Sequence, residues 1–158
     1  MKKTKILFVC LGNICRSPAA QTIMQQLVEA KGLQEKYEID SAGTINSHAG
    51  ELADERMRNH AHKRGYTITH RSRQIDPSRD FDHFDMIIGM DDRNIATLQR
   101  LTSEKKHVAK IKKMTSYNKI FKETSIPDPY YGGYDGFEYV LDLLEDATKG
   151  LLTELEAV

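Results

Sequence analysis

The stretch that most restricts what this chain can become is "KILFVCLGNICRSPAAQ", beginning at Lys5. Ile6 to Val9 is a short unbroken apolar run, which reads as a strand buried on both faces. It stops abruptly at Cys10, Gly12 and Asn13, two of which tolerate unusual backbone dihedrals. Arg16-Ser17-Pro18 follows, and proline suits a first helical turn. Ile23, Met24, Leu27 and Val28 then recur at helical spacing until Gly32. A buried strand, a tight loop and a helix in that order open a parallel α/β sheet with right-handed crossovers.

The rest of the chain repeats the theme. "YEIDSAG" (Tyr37 to Gly43) reads as a second strand and "INSHAGE" as a loop. Asp54 to Arg64 reads as a helix closed by Gly65. "FDMIIGM" (Phe84 to Met90) is a third buried strand, with Asp91 placed to cap a helix. "HVAKIKKM" (His107 to Met114) supplies a fourth. A loop holding Pro127 and Pro129 precedes a last helix, where Phe137, Val140, Leu141, Leu144, Leu151, Leu152 and Leu155 fall on one stripe. The expectation is one α/β domain over residues 1–158, with a four-stranded parallel sheet flanked by helices on both faces. Ligands of such sheets bind at the carboxyl ends of the strands, where Cys10 stands.

Composition narrows the function classes. The 158 residues carry 23 basic and 23 acidic side chains, a net charge of zero. No global field draws the chain to nucleic acid or to an anionic membrane. The apolar start is too short for a signal peptide and no window is long enough for a membrane span. Two cysteines in an unstapled domain fit a reducing compartment, so a cytoplasmic location is expected.

Both cysteines, Cys10 and Cys15, lie in the one loop, five positions apart. A loop that curls into a helix N-terminus aims backbone N–H groups at one point, and the helix adds its positive end. Leu11, Gly12, Asn13, Ile14, Cys15, Arg16 and Ser17 would together cradle a phosphate. A thiol there is acidified and becomes nucleophilic. Arg16 offers a planar fork to two phosphate oxygens, and Ser17 a hydroxyl to the thiolate. The Gly-Lys-Ser/Thr end of a nucleotide-binding loop is missing, as are the glycines of a dinucleotide fingerprint. Zinc would need His60 or His62 to join the thiols, with no second cysteine pair to complete a set. No cofactor is called for.

These residues resemble the low-molecular-weight protein tyrosine phosphatases. "VCLGNICRSP" and "PDPYYG" carry the resemblance, with "DSAGT", "THRSRQI" and "FDMIIGMDDRN" between them in family order. The resemblance implies that Cys10 is the nucleophile, Arg16 the phosphate clamp and Asp128 the general acid and then base. It implies that Asn13, Ser17, Ser41 and His70 hold the loop in shape, and that no metal is used. Independently of the family, a leaving phenolate needs an acid, and Asp128 between two prolines is a candidate. Tyr130 and Tyr131 could wall a pocket for an aromatic substrate, with Leu11 beside them.

Relatives often carry an aromatic residue at the position of Ser47, so one wall is expected to be less aromatic here. A relative that acts on phosphoarginine has threonine where this chain has Ile14, which leans the reading toward phosphotyrosine. Cys15 has two readings: a partner that traps oxidised Cys10 as a disulfide, or simple packing beneath the loop. The expected substrate is a phosphotyrosine-containing protein, and bacterial members of the family are often paired with tyrosine kinases. The alternatives are a phosphoarginine phosphatase, an arsenate reductase, and a non-catalytic phosphate-binding or redox-sensing module. The reductase needs further downstream cysteines, and this sequence has none after Cys15. The oligomeric state is not legible.

Overall fold

A computed structural model describes residues 2–131 and 133–157, with only the backbone at Tyr131 and Tyr134. Four strands form the centre: β1 (Thr4–Cys10), β2 (Tyr37–Gly43), β3 (Met86–Gly89) and β4 (Ile111–Lys113). All pair in parallel, in the order β2-β1-β3-β4. The sheet therefore changes winding direction at β1, and the crevice at such a switch point is where open α/β sheets bind ligands.

Alternation along β1 explains its continuous apolar run. Ile6, Phe8 and Cys10 face one core and Leu7 and Val9 the other, and Ile6 to Val9 are fully buried. Helices α1 (Arg16–Ala30) and α6 (Tyr134–Glu156) cover the first face. The helical stripe expected on α6 is that face: Phe137, Val140, Leu141, Leu144 and Leu151 are all buried there. The second face is closed by Phe81 and Phe84, in and beside the short α3 (Asp80–His83), and by Leu98 on α4 (Asp92–Arg100). Helix α2 (Glu55–Lys63) packs on α6, with Asp54 as its N-cap.

One element differs from its sequence pattern. His107 to Val108 closes a short helix, α5 (Lys105–Val108), and only Ile111–Lys113 joins the sheet. His107 explains this: its ring is bonded to Thr102 Oγ1 (2.8 Å) and Asp82 Oδ1 (2.7 Å) and stacks on Phe81. Those contacts pull the segment out of the strand before the edge strand begins.

The turn Met114–Tyr117 and the segment after it are pinned to α6. Asp146 accepts from the backbone N–H groups of Lys119, Ile120 and Phe121 and from the Asn118 amide. Burial opposes its charge, yet these donors hold the Asp146 carboxyl below the ordinary carboxylate range. The contact is close because α6 carries Gly150 there: a Cβ at that position would lie 1.9 Å from the Tyr117 carbonyl oxygen. Glycine inside a helix is disfavoured by about 1 kcal/mol against alanine, so at an open position alanine would stabilise. Here Gly150→Ala must push backbone against backbone. The expected loss is about 2–3 kcal/mol, read as a melting midpoint lower by roughly 5–10 °C. An unchanged midpoint would mean that the turn is free to move away.

Candidate active site

Residues 11–15 leave the end of β1 and return as α1. The loop is fixed from beneath by backbone bonds: Thr44 N–H to Cys10 O (3.0 Å), Ile45 N–H to Leu11 O (3.1 Å) and Asp54 N–H to Ile14 O (2.8 Å). Gly43 allows it to lie flat on β2, since a Cβ there would meet Leu11 O at 2.8 Å. Asn13 takes φ = 57°, the left-handed region that asparagine tolerates best among residues with a side chain.

Asn13 is also the hub of a buried polar network. Its Nδ2 donates to Ser17 Oγ (2.8 Å) and Ser41 Oγ (3.0 Å). Its Oδ1 accepts from Arg73 N–H (3.0 Å) and His70 Nε2 (2.9 Å). Ser41 passes its own proton to Gln21 Oε1 (2.6 Å). Ser17 accepts from Asn13 and has one proton left to give. Cys10 Sγ lies 3.0 Å away, so the chain of donors ends on the sulfur. Asn13, Ser17, Ser41 and His70 thus sit behind the loop, as expected of a supporting set. His70 Nδ1 lies 3.6 Å from Asp40 Oδ1, and Arg73 ties Asp40 (3.1 Å) to the fully buried Asp80 (2.9 Å).

In front of the loop is a cavity of about 220 Å³. Cys10, Leu11, Gly12, Ile14, Cys15 and Arg16 form its floor, and Ser47, Asp128 and Tyr130 its rim, together with Ile45 and His48. The side chain of Tyr131 lies outside the described residues. Helix α1 begins on Cys15 with no side-chain cap, whereas α2 and α4 are capped by Asp54 and Asp91. Its first-turn donors are left for whatever enters the cavity.

Charge at the cavity is organised around Arg16, which is 2% exposed. Nη1 donates to Asp91 Oδ2 (2.6 Å) and to Ile126 O (3.0 Å); Nη2 lies 3.6 Å from Asp128 Oδ2. Burial works against its charge, but Cys10, Asp91 and Asp128 outweigh it and hold the guanidinium protonated. Asp128 accepts from Tyr130 N–H at Oδ1 (3.0 Å), so Oδ2 faces the cavity side where Arg16 stands. Burial pushes the Cys15 thiol far up, and Asp54, Cys10 and Asp128 push it further, so Cys15 stays neutral. Cys10 and Cys15 are both buried, and no disulfide joins them.

Three participants were not foreseen from the sequence as part of the site. Asp91, whose sequence context marks only a helix cap, caps α4 by accepting from Asn94 N–H and also locks Arg16. The signal available was its place, directly after a strand end on the side where parallel sheets bind. His48, next to Ser47, covers Gly12 and faces Tyr130 at 6.3 Å between ring centroids. Arg56, on α2, contacts Tyr130 and is taken up below. Among the described residues, no group of three or more His, Cys, Asp or Glu side chains is placed to hold a metal ion. His60 is instead bonded to Glu138 (2.5 Å) and stacked on Phe137.

A sheet that reverses winding at β1, and a cavity there floored by a thiol and a buried guanidinium, define an α/β fold with an anion-binding loop at its switch point. Comparison with known proteins narrows the class. A family model described as low molecular weight phosphotyrosine protein phosphatase matches residues 5–158. A low molecular weight protein-tyrosine-phosphatase of Streptomyces coelicolor is 40% identical, covering 94% of this chain and 91% of its own. The crystal structure of a protein tyrosine phosphatase from Entamoeba histolytica is 46% identical with a TM-score of 0.94, covering 98% of each chain. A Drosophila arginine phosphatase is 30% identical with a TM-score of 0.89, covering 96% of this chain and 98% of its own. The chain belongs to the low molecular weight phosphotyrosine protein phosphatase family, and it is a phosphatase of phosphoproteins. Among the described residues, no helix is long and apolar enough to cross a membrane.

Proposed function

We propose that residues 1–158 act as one domain that hydrolyses phosphotyrosine in proteins through a phosphoryl group carried on Cys10. The observation that carries this reading is the convergence of the Cys10 sulfur, the Arg16 guanidinium and the Asp128 carboxyl group on one cavity. In the first step the Cys10 sulfur attacks phosphorus and the bond from phosphorus to the phenolic oxygen breaks. Arg16 and the free amides of residues 11–17 hold the equatorial oxygens, while Asp128 gives its proton to the departing oxygen. In the second step water attacks phosphorus, Asp128 takes a proton from it, the S–P bond breaks and inorganic phosphate leaves. Ser17 donates to the sulfur throughout, which stabilises it as nucleophile and as leaving group.

Cys15 serves as the redox partner. Peroxide oxidises Cys10 to sulfenic acid; the neutral Cys15 thiol gives its proton to the sulfenic oxygen as its sulfur attacks the Cys10 sulfur, and that oxygen leaves as water while the disulfide forms. Net neutrality offers no field for nucleic acid or anionic membrane. A cytoplasmic enzyme, with a tyrosine kinase supplying its substrate, fits a domain whose two cysteines both stand in one loop and serve as no structural staple.

Substrate choice follows from the walls. Leu11, Ile14, Ile45 and Tyr130 present apolar surface within the cavity, which suits an aryl ring better than a guanidinium, whose N–H groups need acceptors along their length. Matched peptides bearing phosphotyrosine or phosphoarginine test this. The expected ratio of kcat/KM is at least roughly 10² in favour of phosphotyrosine. Equal or reversed rates would assign the chain to the arginine branch.

A further inference from the structure

The acid loop has an unusual support. Pro127 and Pro129 flank Asp128 and neither can donate a backbone hydrogen bond. On its N-terminal side the loop is tied by Ile126, whose N–H reaches Met90 O (2.8 Å) and whose carbonyl accepts from Arg16. On its C-terminal side one tie across the chain comes from α2. Arg56 Nη2 donates to the Tyr130 carbonyl at 2.9 Å. Its guanidinium carbon lies 5.4 Å from the Tyr130 ring centroid and 4.9 Å from that of the buried Phe137 on α6. Asp54 accepts from the Nε–Nη2 edge of the same guanidinium, at 3.2 Å from Nε and 3.0 Å from Nη2, so Nη2 serves both partners. Asp54 in turn holds the phosphate loop through its N–H to Ile14 O.

A flat cation held in one orientation by a carboxylate, two ring faces and a carbonyl is more than a solvated surface charge. It connects the loop bearing Cys10 to the loop bearing Asp128. We propose that Arg56 is a positioning residue for the proton-transfer steps: it fixes the Tyr130 turn, and through the Tyr130 N–H to Asp128 contact it sets where the acid stands relative to the sulfur. This rests on the reading of Asp128 given above. Proton transfer depends on the heavy-atom distance, and small misplacements cost much of the gain from orientation.

The test compares wild type, Arg56→Ala, Arg56→Lys and Asp128→Asn, each singly, and the two Arg56 changes again in the Asp128→Asn background. Substrates are phenyl phosphate and inorganic phosphate, the latter as inhibitor. Arg56 is half-exposed, so the variants should fold; circular dichroism checks this. Arg56→Ala is expected to lower kcat for phenyl phosphate by roughly tenfold or more, with the inhibition constant of phosphate changed by less than about threefold. Arg56→Lys keeps the charge but not the flat fork, so it should not restore the rate. In the Asp128→Asn background neither Arg56 change should cost more, because both act on one step.

Three results would overturn the proposal. One is an Arg56→Ala rate within about twofold of wild type; another is a parallel loss of phosphate affinity. The third is an equal loss in the Asp128→Asn background. If Asp128→Asn alone leaves phenyl phosphate turnover intact, it is the acid assignment that fails, which these outcomes keep separate.

Discussion

Replacing Cys10 by serine should lower kcat/KM for an aryl phosphate by about four orders of magnitude or more. The size follows from the atom removed. Every other part of the cradle survives the exchange: β1 keeps its register with β2 and β3, Thr44 N–H still meets the Cys10 carbonyl, and Ser17 still has an acceptor at hand. The site is 3% exposed and the two side chains are nearly equal in size, so the fold should be retained. What is lost is a sulfur that can ionise; a serine hydroxyl at neutral pH is a poor nucleophile without a base beside it. The cradle should therefore still bind inorganic phosphate, because Arg16 and the loop around it are unchanged. Titration calorimetry with phosphate beside steady-state assays checks both halves. Retained turnover in Cys10→Ser would remove sulfur from the mechanism.

Asp128→Ala carries the second largest effect, and its signature is selective. General acid catalysis supplies typically 10²–10⁴, and the loss should scale with how badly the leaving group needs a proton. Phenyl phosphate should fall by roughly 10²–10³. In single-turnover experiments, release of 4-nitrophenolate, which leaves without help, should fall far less. The structure supports this division. Oδ1 of Asp128 is engaged by Tyr130 N–H, whereas Oδ2 stands 3.6 Å from Arg16 Nη2 on the cavity rim. The Arg16 cation keeps its Asp91 and Ile126 partners after the exchange, so binding of phosphate should hold. An equal loss for both leaving groups would mean that Asp128 shapes the site rather than delivering a proton.

Much of this was legible because local chemistry and fold agree. The apolar run of β1, the Gly-Asn turn and Pro18 state strand, loop and helix within one short stretch, and the loop ends where a parallel sheet binds ligands. The helix cap at Asp91 was an equally local signal, and it does cap; Asp54, expected inside its helix, caps it instead. What escaped was long-range. Asp91 and Arg16 are 75 positions apart, and Arg56 and Tyr130 are 74 apart, so no periodicity relates them; only the β2-β1-β3 order brings the first pair together. Segment 107–114 misled because apolar and basic residues alternate in it like a strand, while His107 found three polar partners in a helical turn. At the pocket wall, the expected gap at Ser47 is narrowed by its neighbour His48, which a reading by aligned position passes over.

A direct measurement of the covalent step is available through Asp128→Ala. On the proposed mechanism this variant should still take a phosphoryl group from 4-nitrophenyl phosphate but should lack the base that activates water. Acid quenching during turnover, followed by intact-mass spectrometry and peptide mapping, should show one phosphoryl group per chain, attached to Cys10 and absent when Cys10 is also changed to serine. A chain that hydrolyses the substrate with no adduct at any time, or with the adduct on another residue, would contradict the mechanism at its root.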